Sequence, residues 1–141
     1  MKIVVGHHDT EEGRAALERA VALAREQDAE LQLVSLVALP SNSEDARNYE
    51  EARSRQQKLL DAVAADYRES GVACKAHVPN GVQRPADALV SVAKIEDADL
   101  IVIGMRRRSR VGKLVLGSTS QEVLLDSHCD VLAVKPTSQE A

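Results

Sequence analysis

Two periods alternate along this chain. Short, largely apolar runs occur at residues 2–6, 31–39, 100–103 and 131–134. Each is long enough for a strand and, bounded by turn residues, too short for a helix. Between them the apolar positions recur at helical spacing. Ala16, Leu17, Ala20, Val21, Leu23 and Ala24 form one stripe, on a helix that ends near Asp28. Asp9 with Glu12 has the spacing of a capping box, and Thr10 is the alternative cap. Ala46, Tyr49, Ala52, Leu59, Leu60, Val63 and Tyr67 form a second stripe over 44–70, broken at Gln56 and closed at Gly71. The remainder of that helix is charged, which predicts an outermost position. Residues 72–78 alternate weakly, as an edge strand does. Pro85 opens a third helix with Ala88, Leu89, Val92 and Ala93 inward, and a fourth runs from Ser118 to about Ser127.

Five strands alternating with helices predict a single α/β domain, a parallel sheet with helices on both faces and right-handed crossovers. The domain covers residues 1–136, and the tail 137–141 is expected to be disordered. In such sheets ligands lie beyond the C-terminal strand ends, where the strand order reverses. The loops on that edge begin at His7, Pro40, Pro79 and Gly104.

The last of these loops carries the most distinctive chemistry. Arg106, Arg107, Arg108, Arg110 and Lys113 follow Gly104 with no acid among them, and Gly117-Ser118-Thr119-Ser120 then opens a helix. Backbone N–H groups at a helix start, a positive macrodipole end and nearby arginines suit an anion. The hydroxyls also suit helix capping. The whole chain has a net charge of −4, so a local basic patch favours a small anionic ligand over a nucleic-acid backbone. Two Tyr with no Phe or Trp leave no aromatic platform for stacked bases.

Other motifs fall away on geometry. Gly112-Lys113 would need a glycine at 107 and a hydroxyl at 114 to form a P-loop; those positions hold Arg107 and Leu114. His7 and His8 are neighbours in extended chain and point apart, so no metal site is expected. No acid–base pair or Cys–His nucleophile is assigned, and the expectation is a binding protein rather than an enzyme, with weak ATP hydrolysis ranked last. Cys74 and Cys129 lack paired spacing and read as reduced thiols. With no leader-like segment and no run near ~18 apolar residues, a cytoplasmic protein without membrane contact is expected.

The residues Lys-Ile-Val-Val at 2–5, Ala-Asp-Leu-Ile-Val-Ile-Gly at 98–104, Leu-Gly-Ser at 116–118 and Ser-His-Cys-Asp-Val-Leu-Ala-Val-Lys-Pro at 127–136 resemble the universal stress protein family. The resemblance spans nearly the whole chain. It implies a fold of the adenine-nucleotide alpha-hydrolase kind, with strand order 3-2-1-4-5, and a homodimer paired through the edge strand Val131 to Val134. It also implies a nucleotide motif, G-x2-G-x9-G-(S/T), used by ATP-binding members. Here Gly104, Gly117 and Ser118 keep the spacing, but Arg107 stands at the second glycine. His8 stands where adenine-binding members have aspartate, with Asp9 one place later.

The candidate site is therefore Gly104, Met105, Arg106, Arg107, Gly117, Ser118 and Thr119 for the anion, with Gly6, His7, His8 and Val37 for a base. ATP, AMP, phosphate and sulfate are the candidate ligands. The alternative is a dimeric interaction module with no ligand, its site plugged by Arg107.

Overall fold

The chain begins in the middle of its sheet. In the computed structural model, which describes residues 1–39, 46–107 and 113–136, β1 (Lys2–Gly6) lies between β2 (Glu30–Val34) and β4 (Leu100–Gly104), parallel to both. β3 (Cys74–His77) joins β2, and β7 (Asp130–Val134) joins β4, again in parallel. The order β3-β2-β1-β4-β7 is the expected 3-2-1-4-5 arrangement, with β7 as the fifth strand. Two further strands, β5 (Arg106–Arg107) and β6 (Leu114–Val115), form a small antiparallel pair that the apolar pattern does not announce.

Alternating side chains build a core on each face. Ile3, Val5, Leu31, Leu33 and Val102 pack against Ala16, Ala20 and Ala24 of α1 (Glu11–Gln27) and Leu60 and Ala64 of α2 (Ala46–Glu69). Val4, Val34, Ile101 and Ile103 pack against α3 (Pro85–Ile95) and Val123 of α4 (Ser118–Asp126). Alanines on α1 let the helix lie close to β1 and β4, which is how a core without Phe or Trp fills its space.

Several local expectations need correction. β2 stops at Val34 rather than continuing to 39, because its neighbours run out. His7 N–H donates to Val34 O at 2.8 Å and Ser35 N–H to His77 O at 3.0 Å, and no ladder follows. Residues 72 and 78 flank β3 rather than belonging to it. Leu59 is 64% exposed; Leu60 takes the inward place, about 100° further round the helix. Gln56 faces inward and donates to Ser35 Oγ at 2.9 Å. The Asp9/Glu12 box does not form. Thr10 caps α1, accepting from Gly13 N–H at 3.0 Å, while Asp9 pairs with Arg14. The tail 137–141, the loop at Pro40 and residues Arg108 and Arg110 lie outside the described residues. Among the described residues no helix is long and apolar enough to cross a membrane.

Candidate functional site

The sheet order reverses between β1 and β4. The first connection leaves β1 toward β2, and the chain later returns to β1's other side. A cavity of about 320 Å³ opens there, beyond the C-terminal ends of both strands. Its walls come from Gly6 and His8 after β1, Ile103 and Gly104 of β4, Arg106 of β5, and the first turns of α1, α3 and α4. Three helices thus present their positive ends to one space. Acids offset two of them, Glu11 and Glu12 on α1 and Asp87 on α3, whereas the first turn of α4 has none.

Close backbone approach makes this arrangement. A Cβ on Gly104 would fall 2.1 Å from the Glu12 carbonyl oxygen, so only glycine lets β4 end against the first turn of α1. On the other side Ser120 Oγ donates to Gly104 O at 3.3 Å, tying α4 to the same strand end. Gly117 is the N-cap of α4, with extended backbone and no side-chain cap. The expected capping by hydroxyls is therefore absent; Ser118 and Thr119 line the cavity instead. Their N–H groups belong to the helical turn that has no internal acceptor.

Arg106 reaches this helix start. Its guanidinium lies 3.7 Å from where a Gly117 Cβ would be. Both arginines of β5 are exposed, but Arg107 does not line the cavity, because successive residues of a strand point to opposite faces. The cavity stands open without it, so the plugging arrangement expected of Arg107 is not what the structure has. His7 and Met105 also stay out of the cavity wall. Each uses its backbone N–H to extend the sheet, to Val34 O and Val134 O, both at 2.8 Å. Val37 packs against the α1–α2 core rather than the cavity. Gly6, His8, Gly104, Arg106, Gly117, Ser118 and Thr119 are thus brought together; His7, Val37, Met105 and Arg107 are not.

The His8 ring fits between two glycines. Built Cβ atoms on Gly6 and Gly13 would approach it to 3.3 Å and 2.7 Å. Desolvation by this packing holds the His8 pKa below the ordinary value, His7 adds to the depression, and the Glu12 carboxylate opposes it. His8 is therefore neutral near pH 7. Ser120, part of the expected helix start, also lines the cavity; Thr10, Glu12, Gly13, Pro85 and Leu89 line it as well and are not among the expected site residues. Glu12 reads in the sequence as a capping-box partner of Asp9, not as a cavity residue. The Gly13 signal, a glycine early in a helix, was available as a mark of close approach. Cys74 is buried, which pushes its thiol up to about 11 and leaves it inert.

Fold and crevice together define a doubly wound α/β protein with an anion-suited cavity at its switch point. The profile of the Universal stress protein family matches residues 1–135. A universal stress protein of Mycolicibacterium smegmatis is 38% identical over 134 residues, covering 95% of this chain and 97% of that one. A universal stress protein structure from Archaeoglobus fulgidus superposes with a TM-score of 0.69 at 28% identity, over 96% of this chain and 98% of its own. Another, a universal stress protein solved in complex with cAMP, gives 0.65 at 26%, over 97% and 98%. The chain belongs to the universal stress protein family.

Proposed function

We propose that this chain binds a small phosphate-bearing ligand, with an adenine mononucleotide as the best fit, in the cavity between His8 and Gly117. The carrying observation is Arg106 beside the start of α4, a helix with no acid in its first turn. The N–H groups of Ser118 and Thr119 hold the phosphate, and Arg106 neutralises it. The base lies toward Gly6 and His8, where the imidazole can stack on it or donate a hydrogen bond to a ring nitrogen. A related structure at 26% identity carries cAMP, which supports the ligand class. At about 320 Å³, the cavity is near the lower end of the ~300–1,000 Å³ usual for such sites, which favours one phosphate over three. The role is binding rather than turnover.

Calorimetric titration with cAMP, AMP, ATP and inorganic phosphate in low salt tests this. The expected result is saturable binding of a mononucleotide that weakens as salt rises. Arg106→Gln should weaken it by about tenfold or more, the usual effect of removing a charge-assisted hydrogen bond. No heat with any of the four ligands would sink the reading.

The same proposal includes a homodimer through β7. That strand is a sheet edge, and α4, the helix before it in the chain, carries Leu125, 84% exposed, and Leu124, 42% exposed. An open edge favours pairing with a second copy. Light scattering at micromolar concentration should give twice the chain mass; a monomer contradicts it.

A further inference from the structure

We propose that the cavity takes up its anion together with a proton, carried on His8. This rests on the anion-binding reading above and adds how that binding is regulated. Among the described residues, the ionisable ones lining the cavity are His8, Glu12 and Arg106. With His8 neutral, the Glu12 carboxylate and the Arg106 guanidinium cancel. An entering anion leaves the space one negative charge out of balance, beside a Glu12 carboxylate that already acts on His8. A solvent proton on His8 restores the balance, and leaves again when the anion does. The ring is well placed to respond, since the gap between Gly6 and Gly13 keeps it in the wall.

The other charges near His8 do not take over this role. His7 is its neighbour along the chain, and Asp9 is engaged with Arg14. From α3, Pro85 and Leu89 bring no charge to the wall, and Asp87 is paired with Arg84, which also meets Glu122 of α4. The first turn of α4 contributes only hydroxyls and backbone.

The probe is cAMP, whose phosphodiester keeps a single charge across the range used. Its affinity is measured calorimetrically from about pH 7.5 to about pH 5.5, in buffers of different protonation enthalpy. In parallel, the His8 ring proton is followed by NMR in the free and saturated protein. Affinity should rise about tenfold on acidification, as expected for one added charge near an anion. Net proton uptake should appear in the buffer dependence, and saturation should raise the His8 titration midpoint. His8→Asn should remove the pH dependence whatever its affinity. Binding that is flat in pH, with the His8 midpoint unmoved, overturns the proton coupling and leaves the anion reading standing. A pH dependence that survives in His8→Asn places the proton elsewhere and overturns the assignment. No binding of cAMP at any pH overturns the proton coupling, and the anion reading falls with it only if AMP, ATP and phosphate also fail to bind.

Discussion

Gly104 and Gly117 stand at two ends of one spacing but hold their places for different reasons. A side chain at 104 meets a carbonyl of the α1 backbone at 2.1 Å, which cannot swing aside. Gly104→Ala should therefore cost about 3 kcal/mol, the upper part of the range for overpacking, read as a lower urea midpoint. A Cβ at 117 meets only the Arg106 guanidinium at 3.7 Å. Gly117→Ala should cost about 1 kcal/mol or less, as a loss of N-cap preference. Equal costs at the two positions would contradict this division. The glycines themselves were legible in the sequence, because their spacing was kept. The choice between Arg106 and Arg107 was not. It depends on a two-residue strand, β5, whose alternation turns one arginine toward α4 and the other away from it, and no hydrophobic period reveals so short an element.

The two edges of the sheet are treated differently by the elements beside them. Along β3, three α2 side chains occupy the outward carbonyls of 74, 76 and 78. Arg68 donates to Cys74 O at 2.7 Å, Gln57 to Ala76 O at 3.2 Å and Arg53 to Val78 O at 3.0 Å. They lie where another strand would add. With that edge occupied, the proposed association through β7 would close at two copies instead of running on. The triple variant Arg53→Ala, Gln57→Ala, Arg68→Ala should lose about 3 kcal/mol, at about 1 kcal/mol per hydrogen bond. It should also form larger, concentration-dependent species by light scattering; a variant with unchanged particle size contradicts the guarding role. The sequence marked 72–78 as an edge and the second helix as charged outside. It did not reveal that the charge is used on the edge, because that requires the helix and strand to be in register.

Across the molecule, two histidines couple stability to pH in one direction. His77 donates through Nε2 to Gln32 Oε1 at 2.6 Å, Gln32 is fully buried, and its amide donates to Glu30 at 2.5 Å. Burial lowers the His77 pKa, Lys75 and Lys2 add to the depression, and Glu96 and Glu30 oppose it. Its folded pKa, like that of His8, lies below the unfolded value near ~6.5. Between the two values the unfolded chain binds more protons. Their contribution is therefore complete above the unfolded pKa and is lost as pH falls toward the folded one. The urea midpoint should fall as pH is lowered through that window, and His77→Gln should reduce the fall; a midpoint rising on acidification contradicts it. Strand order and both cores were legible at this scale from runs such as Ile101-Val102-Ile103 and from the family resemblance. Glu12 and Gly13 were not legible as cavity residues, because only the packing of α1 against Gly104 brings that turn to the switch point. The central claim is that phosphate lies at the start of α4 and the base lies against β1. Backbone amide NMR during titration tests it most directly. Inorganic phosphate should move the Gly117, Ser118 and Thr119 signals, and cAMP should move these and, in addition, Gly6, His8 and Gly13. Shifts confined to the β3–α3 side, around His77 and Ser91, or none at all, would contradict it.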